Sequence, residues 1–110
     1  SALVEIAASS QVEIEIDETA VPVSDAVRGA CEILGFDPMY VANEGRFVAF
    51  VSAEKADEAL AIMRRHVVSA GATQNGAVTT GKKHRVVAKT ALGSRRLVEM
   101  FSGEQLPRIC

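Results

Sequence analysis

The hydrophobic period of this chain changes repeatedly, and this feature most constrains its fold. From Val12 to Asp17, apolar residues alternate with acids, which is the two-residue period of a half-buried strand. Residues 27–34 then carry apolar side chains at helical spacing, with Ser24 as a suitable N-cap and Gly35 as the stop. A chain that combines both periods buries its apolar faces by packing helices on a sheet. The pattern therefore predicts an α+β fold.

The same two periods predict the other elements of a single domain. The predicted elements are a helix end at residues 3–6, a hairpin of strands 40–42 and 47–51 around the turn 43–46, a helix from Ser52 to Gly71, and strands at 77–79, 85–88 and 96–100. We predict a mixed sheet with helices packed on one face over residues 1–101. The pattern stops after Phe101, so residues 102–110 are predicted to form a flexible, mobile C-terminal tail.

Length and composition restrict the class of protein. The chain has 110 residues, of which 48% are apolar and 24% charged, and this suits one domain with its own core. No apolar run approaches the ~20 residues that span a bilayer. The first ten residues contain Glu5 and no cation, unlike a secretory signal. We expect a cytoplasmic, thiol-reduced protein that is not membrane-bound, and the start at Ser1 rather than Met suggests a piece of a longer chain.

Charge is distributed unevenly between the two parts of the chain. Residues 1–81 carry five cations and twelve acids, whereas residues 82–110 carry seven cations and two acids. A basic segment of this kind could bind phosphates or an acidic partner. RNA binding also needs aromatic side chains for base stacking, and Phe101 alone supplies one there. We expect no nucleic-acid partner and interpret most of these cations as exposed strand positions.

Residues 76–83 nearly match a phosphate-binding P-loop. The last position of that motif must be Ser or Thr to hold magnesium, and Lys83 stands there instead. The β-branched residues 78–80 favour a strand over a loop of converging N–H groups, and no helical pattern follows. The segment is therefore interpreted as a strand.

The histidines and one of the two cysteines are given structural roles. His66 and His84 share no metal-ligand spacing with a cysteine or a carboxylate, so no metal site is predicted. Cys31 lies on the apolar stripe of its helix and is interpreted as a small core residue.

Glu44 and Cys110 are the candidates for chemistry. Glu44 lies in a tight turn whose flanking strands would hold it rigidly, which suits a general base, although a solvated turn acid is the simpler interpretation. Cys110 is the last residue, on a segment without a packing pattern. Arg108 modestly favours its thiolate form, and the terminal carboxylate opposes it. From Gly103 onward the segment can reach at most ~26–29 Å. The thiol is either carried on an arm between distant sites or an incidental terminal cysteine.

Four segments of the chain carry a family resemblance. They are the tail from Glu104 to Cys110, the long stretch from Val27 to Gly45, and the shorter segments 85–87 and 90–93. Together they resemble the HypE family of hydrogenase maturation factors. Ser94 departs from the pattern, because family members usually carry a second glycine there.

The resemblance implies the C-terminal domain of a PurM-like (aminoimidazole ribonucleotide synthetase-like) enzyme, an ATP-dependent carbamoyl dehydratase. The carbamoyltransferase HypF would load Cys110, and dehydration with ATP would give a thiocyanate. The cyano group would pass to iron on the HypC–HypD complex, as a cyanide ligand of [NiFe]-hydrogenase. Glu44 would be the base, and Pro107, Arg108 and Ile109 would present the thiol. ATP with Mg²⁺ and the homodimer contacts would belong mainly to an absent N-terminal domain, which leaves the isolated domain inactive.

Two other functions stay open from the residues alone. The chain could be a stand-alone binding or regulatory module that docks a partner through its basic C-terminal half. Alternatively, Cys110 could be a redox-active thiol, but this would require a resolving partner, and Cys31 on a packed face is poorly placed for that role.

Overall fold

The computed structural model describes residues 1–100, and the predicted tail lies outside the described residues. Within them, the helices are α1 (Ala2–Ser10), α2 (Asp25–Leu34) and α3 (Ala56–Arg64), and the strands are β1 (Glu13–Asp17), β2 (Gly76–Thr79), β3 (Val86–Lys89) and β4 (Arg95–Val98). Short 3-10 turns lie at Glu18–Ala20, Pro38–Tyr40, Ala53–Lys55 and Val67–Ser69. The predicted α+β class is confirmed.

The strands form one mixed sheet in the order β2-β1-β3-β4. β1 is antiparallel to β2 and parallel to β3, while β3 and β4 are antiparallel. β2 and β3 are therefore not neighbours, although they follow each other along the chain, because β1 lies between them. The predicted mixed sheet is confirmed. The two-residue period buries alternate residues of β1, whereas β3 at the centre of the sheet is buried on both faces.

The core lies between α1 and the centre of the sheet. Ile14 and Ile16 are 3% and 4% exposed, and together with Val86 and Ala88 they form the face that α1 covers. Ala7 of α1 is fully buried against them, and its small side chain permits close approach of the helix to the sheet. The alternation of apolar residues in β1 thus determines which face becomes the core.

α2 and α3 lie on the same side of the sheet as α1, across an apolar cavity of about 580 Å³. Val27 of α2 and Leu60 and Met63 of α3 line this cavity opposite Ile14 and Ile16. The helices therefore cover one face of the sheet, as predicted.

Ion pairs occupy the opposite face, one between β1 and the residue before β3 and one that crosses β3 from β4 to β1. Arg85 donates to Glu13 over 2.8 Å, and Arg95 donates to Glu15 over 2.9 Å. The acids that alternate with isoleucines in β1 are thus matched by cations near β3 and in β4. Such partly exposed pairs stabilise a protein only weakly, and they mainly favour the observed strand register.

The predicted hairpin is wrong. Residues 41–52 contain no strand. Tyr40, which was predicted to begin a strand, is instead the last residue of the 3-10 turn Pro38–Tyr40. The Asp37 side chain caps this turn by accepting the Met39 N–H over 2.9 Å. Residues 47–51 do not pair with β2 or β4, the two edges of the sheet in the described chain, and Phe47 is 75% exposed. A strand needs a neighbour to receive its backbone hydrogen bonds, which local propensity alone does not supply.

Close approach of two strands explains the glycine at the start of β2. A Cβ atom at Gly76 would lie 2.3 Å from the carbonyl oxygen of Glu15. This distance is far below van der Waals contact, so the pairing of β1 with β2 requires glycine at this position.

The turn between β3 and β4 accommodates Ser94 in place of the family's glycine. The Thr90 N–H donates to the carbonyl of Ser94 over 2.8 Å, and the two side-chain oxygens lie 2.6 Å apart. Gly93, with φ of +82°, takes the left-handed conformation that the turn requires. Ser94 therefore adds a hydrogen bond that closes the turn.

Candidate functional site

Glu44 is exposed beside a bend at Gly45, a segment named here the Glu44 turn, and no strands flank it. Gly45 has φ of +73°, a left-handed conformation that glycine adopts readily. The Asn43 side chain donates to the carbonyl of Val41 over 3.3 Å, which holds the residues immediately before Glu44. The carboxylate is therefore exposed to solvent, where it can approach a substrate.

The structure anchors the Glu44 turn from both sides through arginines. On the C-terminal side, Arg46 donates to the Pro22 carbonyl over 3.3 Å. On the N-terminal side, the Pro38–Tyr40 turn is attached to Asp37, and Asp37 is held by Arg96 of β4. Side-chain contacts between distant segments thus replace the flanking strands that the sequence suggested.

Arg96 is the centre of a partly buried charge cluster. Its Nε donates to Glu18, and its Nη2 donates to Asp37 over 2.8 Å. The guanidinium carbon lies 5.8 Å from the centre of the Tyr40 ring, within the range of a cation–π contact. Burial opposes its charge, but hydrogen bonds and charge attraction from Glu18 and Asp37 outweigh this effect and raise the pKa of Arg96.

The sequence pattern alone predicts that Arg96 is one of several exposed strand cations. The cluster was missed because its members lie far apart in the chain, and neither period brings them together. The two-residue period does place Arg96 on the same face as Val98, which packs against the core. That position was the only sequence signal for a partly buried cation.

The Glu44 turn borders the apolar cavity beneath the sheet. Asn43 and Arg46, on either side of Glu44, line this cavity together with apolar residues such as Val48 and Phe50. Glu44 itself does not line the cavity, but it lies between two polar residues that do, at the edge of a mostly apolar cavity.

The second candidate, Cys110, lies outside the described residues, as do Pro107, Arg108 and Ile109. Their roles stay predictions. Cys31 is 6% exposed on α2, which confirms the prediction that it is a core residue.

The near-match to a P-loop is a strand, as predicted. Residues 76–79 form β2, and the chain continues to β3 rather than to a helix. A phosphate cradle needs a loop or helix N-terminus with converging N–H groups. Residues 76–83 therefore do not form the phosphate-binding loop that their sequence resembles.

The other polar residues of the described chain form no cluster of ligands. Within residues 1–100, no group of three or more His, Cys, Asp or Glu side chains is arranged to hold a metal ion. His66 precedes the turn Val67–Ser69, and His84 is exposed before β3. None of the helices described is both long and apolar enough to span a bilayer.

A comparison with protein families places this fold in a class. Residues 1–89 match the family described as AIR synthase related protein, C-terminal domain. The chain belongs to this family, as the resemblance implied.

Within that class, the chain is similar to HypE proteins. It is 48% identical to carbamoyl dehydratase HypE of Cupriavidus necator over 96% of this chain and 30% of that protein. It is 49% identical to carbamoyl dehydratase HypE of Rhodobacter capsulatus over all of this chain and 32% of that protein. The chain therefore spans about a third of the length of the curated relatives that it matches.

Solved HypE structures share the fold. A hydrogenase maturation protein HypE in complex with ATP superimposes with a TM-score of 0.87 at 43% identity, over 98% of this chain and 33% of that one. The HypE–HypF complex gives a TM-score of 0.81 at 37% identity, over 88% of this chain and 31% of that one. The predicted PurM-like C-terminal fold is confirmed.

Proposed function

We propose that this chain is the C-terminal part of an ATP-dependent carbamoyl dehydratase that acts in hydrogenase maturation. The observation that carries the proposal is the 49% identity to a carbamoyl dehydratase HypE over all 110 residues, a match that extends through Cys110. In this proposal Cys110 carries the reacting group, Pro107, Arg108 and Ile109 present it, and Glu44 is the general base.

The chemistry begins with the thiolate of Cys110. Its sulfur attacks the carbonyl carbon of an activated carbamoyl donor, and the donor's leaving group departs with the bonding electron pair. The product is an S-carboxamide on Cys110. A thiolate suits this role because sulfur is a good nucleophile and also a good leaving group in the later transfer.

Dehydration then consumes ATP as a substrate. The carboxamide oxygen attacks the γ-phosphorus, ADP leaves, and the oxygen becomes part of a phosphate leaving group. Loss of phosphate and of both protons on nitrogen creates the carbon–nitrogen triple bond of a thiocyanate. Glu44, exposed in an anchored turn, takes one of these protons, and the other is taken up by the departing phosphate or by water.

ATP and HypF as partners are supported by solved relatives, whereas the other partners rest on the family resemblance. One solved HypE holds ATP and another is bound to HypF. We therefore assign ATP with Mg²⁺ to the part of the full-length protein outside this chain, and a HypF-type carbamoyltransferase as the donor. A HypC–HypD-type complex would receive the cyano group on iron, the full-length protein would be a homodimer, and the reaction would take place in the cytoplasm.

The structure weakens the alternative of a docking module with a basic surface. Of the cations between residues 82 and 100, Arg85, Arg95 and Arg96 are engaged in ion pairs within the domain. The charge available for an external acidic partner is therefore much smaller than the sequence count indicates.

Transfer of labelled carbamoyl groups tests the proposal. The full-length protein is incubated with the carbamoyltransferase, labelled carbamoyl phosphate and ATP, and protein-bound label is counted. We expect the parent and a Cys31→Ala control to be labelled and Cys110→Ala to remain unlabelled. Label on Cys110→Ala equal to that on the parent contradicts the proposal.

A further inference from the structure

We propose that Arg96 is a positioning residue that holds the Glu44 turn against the sheet. The proposal rests on the proposed function in one respect, since it takes Glu44 as the base. Its geometric part concerns only described residues and is tested separately.

Arg96 joins three segments that are distant in sequence. Its guanidinium binds Glu18, in the turn after β1, and Asp37, before the Pro38–Tyr40 turn. Its side chain is 34% exposed and that of Glu18 is 23% exposed, so solvent competes only partly for these bonds. The planar guanidinium presents several donors in a fixed fork, which allows it to hold two carboxylates at once.

Asp37 transmits this attachment toward Glu44. One carboxylate oxygen accepts from Arg96, and the other accepts the Met39 N–H over 2.9 Å. Met39 in turn packs against the core cluster. The carboxylate thus connects the cation on β4 to the backbone of the turn that leads into residues 41–45.

The distance from this turn to Glu44 is short. Only residues 41–43 lie between Tyr40 and Glu44, and they form no helix or strand. The Arg46 contact on the other side is one exposed hydrogen bond of 3.3 Å. The contact between Arg96 and Asp37 is thus the shorter and less exposed of the two side-chain attachments.

The location of Arg96 on β4 gives the contact its functional meaning. Arg96 pairs with Ala88 in the sheet register, so its contacts attach the turn to the sheet. One side chain thus links the sheet to the turn that carries the proposed base. A shift of about 1 Å of a base from the proton that it removes can cost roughly 100-fold in rate, so this link matters for catalysis.

Hydrogen exchange and kinetics on the full-length protein test the proposal. Arg96→Gln is expected to accelerate amide exchange in a peptide spanning residues 38–45 and to slow dehydration of loaded Cys110 by about 10- to 100-fold. The rate of carbamoyl loading and the pH dependence of dehydration should not change, because Glu44 remains the base.

Arg95→Gln is the matched control, since Arg95 is adjacent in β4 but binds Glu15 on the other face. It should leave both the exchange and the dehydration rate at parental values. Arg96→Lys, which keeps the charge and loses the fork, should give intermediate exchange and rate, and it replaces Arg96→Gln if that variant does not fold.

Three results overturn the proposal. They are parental exchange in residues 38–45 of the Arg96 variants, faster exchange with an unchanged dehydration rate, and equal slowing of loading and dehydration. Failure of the base assignment is distinguishable, because Glu44→Gln would then dehydrate normally while the exchange effect of Arg96→Gln persists.

Discussion

Glu44 combines exposure with restraint, a pairing that a general base on a turn requires. Its neighbours hold the backbone through Asn43 and Arg46, while its own side chain remains exposed. The sequence predicted the turn and the candidate role from the Asn-Glu-Gly pattern and the family resemblance. It did not predict the means of restraint, because the contact between Arg96 and Asp37 depends on the folded register of β4.

Replacement of Glu44 tests its role separately from that of Cys110. In the full-length protein, Glu44→Gln should leave carbamoyl loading intact and slow dehydration by about 100- to 10,000-fold, the usual effect of removing a general base. The measurement is single-turnover conversion of loaded protein after ATP is added. Glu32→Gln, at an exposed acid on α2, serves as the control and should react at the parental rate. If Glu44→Gln dehydrates the loaded group at the parental rate, Glu44 is not the base and is only a solvated residue of the turn.

Asp17 gives a prediction about pH and stability. Its carboxylate accepts from the Thr19 hydroxyl over 2.6 Å and from the Thr19 N–H over 2.9 Å, and these bonds lower the pKa of Asp17. A lowered pKa in the folded state means that the ionised group stabilises the fold above its ordinary pKa. This contribution is lost as the pH falls through the lowered value.

Urea unfolding of the parent and of Asp17→Asn across acidic pH measures this effect. Near neutral pH the parent should have a higher free energy of unfolding than Asp17→Asn. This difference in unfolding free energy should shrink as the pH falls and Asp17 becomes protonated. A difference in unfolding free energy that stays constant down to the lowest pH would contradict the assignment.

Among the elements, β1 and α2 were predictable because one local period determines each. Ile14 and Ile16 are buried where the alternation placed them, and α2 begins after Ser24 and ends before Gly35 as expected. The hairpin at residues 40–51 was not predictable, because β-branched and aromatic residues show strand propensity but not the presence of a neighbouring strand. The sheet order was also outside the reach of local patterns, since β1 inserts between β2 and β3.

Two glycine substitutions test the packing of the elements. Gly76→Ala should lower the free energy of unfolding by about 1–3 kcal/mol, because the added methyl group would overlap the Glu15 carbonyl between β2 and β1. Gly29→Ala, in the interior of α2 with open space around it, should raise stability by about 0.5–1 kcal/mol. Chemical denaturation of both variants beside the parent provides the measurement. Tolerance of Gly76→Ala would show that β1 and β2 do not approach closely.

At the scale of the whole molecule, the proposed division between the thiol carrier and the nucleotide site agrees with the absence of a phosphate loop at residues 76–83. The segment closest to a P-loop forms β2 instead. Isothermal calorimetry on residues 1–110 should therefore detect no ATP binding in the micromolar range, whereas the full-length protein should bind ATP under the same conditions. Micromolar binding by residues 1–110 alone would contradict the assignment of the nucleotide to the rest of the protein.

The mass of the tail peptide that contains Cys110 is the most direct test of the central claim, that this thiol carries the group undergoing dehydration. The full-length protein is first loaded by the carbamoyltransferase and then sampled after ATP is added. We predict that the peptide gains the mass of one carbamoyl group on Cys110 and then loses the mass of one water only when ATP is present. A carbamoyl group on a different residue, or a loaded Cys110 that never loses water with ATP, would contradict the account.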